Sequence, residues 1–241
     1  MSVKAYQLDG IGPVQIYKRK GTRSLRLSIT ADGSVRVTVP ASVSYDAGVR
    51  FAQSRQAWIE DHLPQPKAVL GQGHHIGKAH RLVFATAETD TVRTRIAGSD
   101  IIISRPPGIL ISHPKAQEAA TRASLRALRA EAQKLLPPRL RQLSEEYGFN
   151  YSSVSVKQLT GRWGSCDAKH HIVLNLFLMQ LPWHLIDYVL VHELTHTKHL
   201  DHSAAFWQEF LRHEPRARTY QKEIRHYKPI LAAIEAGGDM S

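Results

Sequence analysis

Two histidines four residues apart, His192 and His196, can present their rings to a common point if the backbone between them is helical. On a helix they are separated by about 40° around the axis and about 6 Å along it, so both can face one ion. Glu193 then stands roughly 100° from His192, near enough to meet a water beside that ion without being a ligand itself. The preceding Ile186, Val189, Leu190 and Val191 are apolar, which predicts a buried helix from about Trp183 to Lys198 with the His192-Glu193-Leu194-Thr195-His196 motif at its end, over a cleft. Pro182 suits the first turn of such a helix. A ligand pair with an intervening carboxylate fits zinc-assisted hydrolysis, in which a metal acidifies water and a base removes its proton.

A third ligand is needed, and His202 occupies a position where a continuous helix would carry it about 9 Å beyond His196 and about 120° off its face. The helix must therefore end, and Asp201 can cap a new helix from near His202 that carries Phe206, Trp207 and Phe210. His199, Glu209, Glu214 and Glu223 are the rivals by position. The remaining paired or isolated histidines, His74, His75, His170, His171 and His184, have no metal spacing.

The chain has one cysteine, Cys166, which excludes an intramolecular disulfide and a cysteine-rich metal site and reads as a small packed residue rather than a nucleophile. The first residues lack the apolar core of a secretion signal, and the longest apolar stretch, residues 174–191, contains Asn175, Pro182, His184 and Asp187, which a membrane span would have to desolvate. A cytoplasmic protein without a membrane partner is expected. The formal net charge is +11, and Lys and Arg outnumber Asp and Glu by 15 to 8 in residues 1–113 against 17 to 13 in 114–241. The basic N-terminal half thus opens a second reading, a nucleic-acid-associated protein with a mainly structural zinc. Glu193 favours the enzyme, because a structural site has no need of a carboxylate beside its first ligand.

Strands are predicted at residues 14–18, 24–30 and 34–39, with an Asp32-Gly33 hairpin turn between the last two, then a helix from Tyr45 to His62 that is capped by Ser44, contains Trp58, and is stopped by Pro64 and Pro66. Further strands are expected at 81–86, 91–96 and 101–104. Pro106-Pro107-Gly108 marks the expected boundary between domains at 1–113 and 114–241. A long helix follows from Gln117 to Leu136, kinked or restarted at Pro137-Pro138 and ended by Gly148, and then strands at 153–159 and 172–178. The class is α+β.

Gly161-Arg162-Trp163-Gly164-Ser165-Cys166, Ile172-Val173-Leu174-Asn175, Pro182, Asp187-Tyr188, His192-Glu193-Leu194 and His202-Ser203-Ala204-Ala205-Phe206-Trp207 together resemble the YgjP-like metal-dependent hydrolases, a SprT-like branch of the zincin metallopeptidases. The His192, His196 and His202 spacing is also that of the metzincin signature, although His199 stands where metzincins turn on a glycine. The resemblance is specific over about residues 155–210. It implies a zincin-like catalytic domain of helices and a small sheet behind a β-rich N-terminal domain. It also implies His192, His196 and His202 as ligands of one zinc ion per chain, Glu193 as the catalytic residue, and a peptide or protein substrate. His170 departs from a glycine common in the family between the two strands. Arg162 and Trp163 fit an edge that binds extended substrate, or else a packed tryptophan and an ion-paired arginine, and the strand over 172–178 is the expected place for a peptide to add. Tyr188, Tyr220 or Tyr227 is a candidate donor to an oxyanion.

Overall fold

A computed structural model describes residues 2–30, 33–62 and 69–231. The chain forms two compact units, residues 1–68 and 69–241.

In the first unit, β1 (Ser2–Leu8), β2 (Gly12–Arg19), β3 (Arg26–Ile29) and β4 (Val35–Pro40) form a sheet in the order β1-β2-β4-β3, with β2 and β4 parallel and the other pairs antiparallel. Alternation decides the faces: Val14, Ile16, Val35, Val37 and Val39 are buried with Ala52 and Ile59 of the two helices that follow, whereas Gln15, Tyr17, Arg36 and Thr38 lie on the opposite face. The β3–β4 hairpin forms, with Gly33 at φ 85°; Asp32 of its expected turn lies outside the described residues, as do Leu63, Pro64 and Pro66. The single helix expected over 45–62 is two, α1 (Tyr45–Gln53) and α2 (Gln56–His62). Ser54 ends the first by donating its hydroxyl to the Phe51 carbonyl at 2.9 Å, a local bond that competes with helix continuation.

The second unit opens with a sheet of β5 (His75–Ile76), β6 (His80–Thr86), β7 (Arg93–Ala97) and β8 (Asp100–Arg105), ordered β5-β6-β8-β7. Helix α3 (Pro114–Tyr147) lies against it, and Ala116, Ala119, Ala120, Ala123 and Ala127 bring the helix backbone close to Leu82, Ile101 and Ile103 in one hydrophobic cluster. That shared core places this sheet with the C-terminal half, so the division falls after residue 68 and not after 113; Pro106-Pro107-Gly108 is a turn within the unit. Pro137 and Pro138 do not split α3. The carbonyls they leave unpaired belong to Gln133 and Lys134, both exposed to water, while buried Leu136, Leu140 and Leu143 hold the helix to the core on either side. Gly148 ends it at φ 68°.

A third sheet joins β9 (Ser153–Lys157), β10 (Gly164–Cys166) and β11 (His171–Asn175) in the order β10-β11-β9. His170 takes φ 60° in the turn before β11, the conformation a glycine would adopt freely. The strand expected over 172–178 stops at Asn175, where the Asn175 side chain accepts the Phe177 N–H at 3.2 Å and starts a 3-10 turn, Leu176–Gln180. Three helices close the unit: α4 (Trp183–Thr195), α5 (Ala204–His213) and α6 (Ala217–Glu223). Among the described residues no helix is long and apolar enough to cross a membrane.

One buried charge ties β5–β6 to α3. Glu131, 6% exposed, accepts the Lys78 backbone N–H at 2.9 and 3.1 Å, and Lys78 Nζ in turn reaches the Leu181 carbonyl at the entry of α4. Burial raises the Glu131 pKa, opposed by the backbone N–H groups of Lys78 and Ala79 and by the Lys78 charge. Gly77 sits at φ 65°, where an added Cβ would overlap the Glu131 carboxylate. Gly73, at φ 78°, has nothing within 4 Å of such a Cβ. Gly73→Ala should therefore cost about 1–2 kcal/mol for the backbone conformation alone, and Gly77→Ala at least about 1 kcal/mol more. Equal losses in urea unfolding would show that the carboxylate contact carries no weight.

Candidate active site

Helix α4 is apolar nearly all round, with Leu185, Ile186, Val189, Leu190, Val191 and Leu194 all buried, so it is stable only inside the core. That placement carries His192 and Glu193 into low dielectric on its last turn. The helix ends at Thr195, with His196 as its C-cap, earlier than the Lys198 expected. Lys198 and His199 both donate their N–H to the Thr195 carbonyl at 3.0 Å, turning the chain without a left-handed residue at His199. Ser203, and not Asp201, caps α5: its hydroxyl accepts the Phe206 N–H at 3.5 Å, and Asp201 instead accepts the Ser203 N–H at 3.2 Å. His202 therefore stands in the loop before α5.

The turn brings three rings together. Nε2 of His192 lies 3.1 Å from Nε2 of His196 and 3.1 Å from Nε2 of His202. One ligand atom from each ring lies within 4.8 Å of the others. Phe206, fully buried, touches all three, with centroid separations of 5.1, 4.7 and 4.8 Å. The tautomer of His196 follows from its other nitrogen: Nδ1 lies 2.9 Å from the His199 carbonyl, which can only accept, so the proton sits there and Nε2 offers a lone pair. Burial first, then the neighbouring His196 and His202, push the His192 pKa down to about 3, and burial lowers that of His196, so both rings are neutral at physiological pH. A single ring N–H on His192 cannot serve two acceptors at once, whereas a cation can engage every converging lone pair. Tetrahedral nitrogen ligands about 2.05 Å from one zinc ion lie about 3.3 Å apart, close to the two 3.1 Å separations from His192. The histidine cluster thus fits a zinc-type metal.

Glu193, 5% exposed, points its carboxylate at β10, and its Oε2 is buried with no hydrogen-bond partner among the described residues. Burial pushes its pKa up to about 8, opposed by the charge of Arg162. A Cβ at Gly164 would lie 2.6 Å from Glu193 Oε1, so only a glycine lets the carboxylate rest against this strand. That role, and that of Phe206 as the shared contact of the three rings, could not be read from the sequence, since both depend on elements meeting across the fold.

Arg162 is exposed, whereas Trp163 is half-buried against the core. The buried Asn175 straps their loop, donating its amide to the carbonyls of Arg162 at 2.8 Å and Leu159 at 3.0 Å. Burial, then Glu193 and Asp167, push the Cys166 thiol up to about 11, which makes it a poor nucleophile. Tyr188, one turn before His192, packs beside His192 and Phe210 and is pushed up to about 12 by burial. β11 cannot accept a peptide edge, because β10 and β9 already pair with it on both sides; β10 is the free edge on the side of α4.

The sequence profile of the YgjP-like, metallopeptidase domain family matches residues 23–227. The chain belongs to this family. It is a metal-dependent hydrolase of the metallopeptidase class. A solved structure, the crystal structure of the metallopeptidase zymogen of Pyrococcus abyssi abylysin, is similar at 24% identity with a TM-score of 0.36, over 38% of this chain and 93% of that one. No curated protein matches.

Gly164→Ala should displace Glu193 and lower hydrolysis by about tenfold or more while leaving metal content intact. Unchanged turnover in the alanine variant would mean that the carboxylate does not need the glycine.

Proposed function

We propose that the chain is a zinc metallopeptidase in which His192, His196 and His202 hold one zinc ion and Glu193 is the general base. The convergence of three imidazole nitrogens beside a buried, unpartnered Glu193 oxygen supports it most directly. The ion when bound supplies Lewis acidity, which acidifies water and polarises the scissile carbonyl. The residues do the rest. Glu193, held against Gly164, takes the water's proton on a carboxylate oxygen and can return it to the leaving amine. The His199 carbonyl keeps His196 in the tautomer that leaves Nε2 free. An extended substrate pairs with the free edge of β10, where Asn175 holds the Arg162–Trp163 loop at its entrance.

The basic open face of the first sheet supports a second reading, nucleic-acid association. Arg26, Arg36 and Tyr17 share that face, and none of its strand residues is acidic. Retention of the intact protein on DNA should then fall steeply as salt rises, and affinity that barely changes would remove this role.

His192→Ala, His196→Ala and His202→Ala should each lose bound zinc, as measured by metal analysis of the purified protein. His199→Ala should not, because only its backbone carbonyl is engaged. The opposite ranking of His199 and His202 would move the third ligand. Glu193→Gln should keep zinc and stability while hydrolysis of an unfolded protein falls by on the order of 10²-fold or more. A structural metal predicts no activity in parent or variant, and a base elsewhere predicts little change.

A further inference from the structure

Away from the histidine cluster, α3 and β7 enclose a groove of about 400 Å³ lined by Val92, Thr94, Leu125, Arg122, Arg126 and Arg129. The three arginines recur at i, i+4 and i+7, so they share one face of α3. Arg126 is steadied by a 2.9 Å bond from Nη2 to Thr94 Oγ1, and among the described residues Glu118, which pairs with Arg122 at 2.9 Å, is the one acidic partner of the three. β7 is the outer strand of its sheet, paired with β8 alone. Its register sets which side chains meet α3: Thr94 and Ile96 stand opposite the buried Ile103 and Ile101, whereas Arg93 and Arg95 stand opposite Ser104 and Ile102 on the other face. Ile96 is 46% exposed on the groove side.

We infer that this edge is a docking site for an acidic, extended segment of a partner polypeptide, which adds to β7 as a further strand. Strand addition satisfies the edge backbone, and alternate side chains of the incoming segment would point to opposite faces. Arginines await them on both: Arg122, Arg126 and Arg129 on the α3 side and Arg93 and Arg95 on the other. Carboxylates on every second residue of an extended chain are about 6.6 Å apart, and Arg122 and Arg126 are about 6 Å apart along their helix. Forked guanidinium groups on such a spacing suit carboxylates in particular.

The test is fluorescence anisotropy with the full-length Glu193→Gln chain and a labelled peptide of alternating Glu and Thr. The Glu–Thr peptide should bind, and its Gln–Thr analogue should bind at least about tenfold more weakly. Arg126→Glu/Arg129→Glu should cost a similar factor; if that pair does not fold, Arg126→Ala/Arg129→Ala carries the comparison, with folding checked by circular dichroism. N-methylation of alternate backbone nitrogens, which keeps the charge and blocks pairing, should abolish binding. Full affinity in the arginine variants, or equal binding of the N-methylated peptide, would overturn the proposal. So would an oligothymidine that binds more tightly than the peptide and loses affinity in the same variants, since the groove would then serve nucleic acid. Because the readout is binding and not hydrolysis, its failure is separate from any failure of the peptidase mechanism.

Discussion

Everything at the histidine cluster depends on enclosing α4. A helix with apolar residues on nearly all sides cannot lie on a surface, and here the alanine-rich α3, strand β10, the aromatic side of α5 and helix α6 surround it. The consequence is electrostatic as much as structural. His192 and Glu193 sit on the last turn of that helix, so the burial that stabilises the helix also strips them of water, holding the imidazole neutral and making the carboxylate basic. Both effects suit a residue that donates a lone pair to a metal and a neighbour that accepts a proton.

The chain around the cluster is organised to keep these groups from relaxing. Phe206 packs on all three histidine rings, and the cap at Ser203 fixes where α5 begins and hence where Phe206 stands. On the other side, β10 closes on Glu193 through Gly164, and Asn175 joins the central strand to the Arg162–Trp163 loop through two amide hydrogen bonds. A polar side chain as buried as Asn175 is tolerated because its donors and acceptor all have partners. The family match over most of the chain sets this arrangement within the metallopeptidases.

Much of the local structure was legible because it is governed by short-range rules. The helical spacing of His192 and His196, the apolar run before them, the Gly148 stop and the Ser44 cap all involve residues within a few positions of one another. Local rules also misled. Proline at 137 and 138 argues for a break, yet α3 runs through, since its exposed side lets water take the freed carbonyls and its buried side is held by leucines. Asp201 is as good a cap by type as Ser203, and only the backbone path after His199 decides between them. The unit boundary was misplaced for the same reason: a Pro-Pro-Gly turn is visible in sequence, whereas the packing of β5–β8 on α3 is not.

The sequence by itself indicated that His192, Glu193 and His196 lie at one helix end, because the apolar run before them calls for a buried helix and a period of 3.6 residues then aligns two rings four positions apart. It also determined that no cysteine cluster could share the work. Tertiary structure alone decided that His202 reaches His192, that Gly164 meets Glu193, and that β10 rather than β11 is the free strand beside them. Those outcomes depend on which elements pack together and in what order strands pair, and such contacts are set by burial across the whole core, where no local spacing records them.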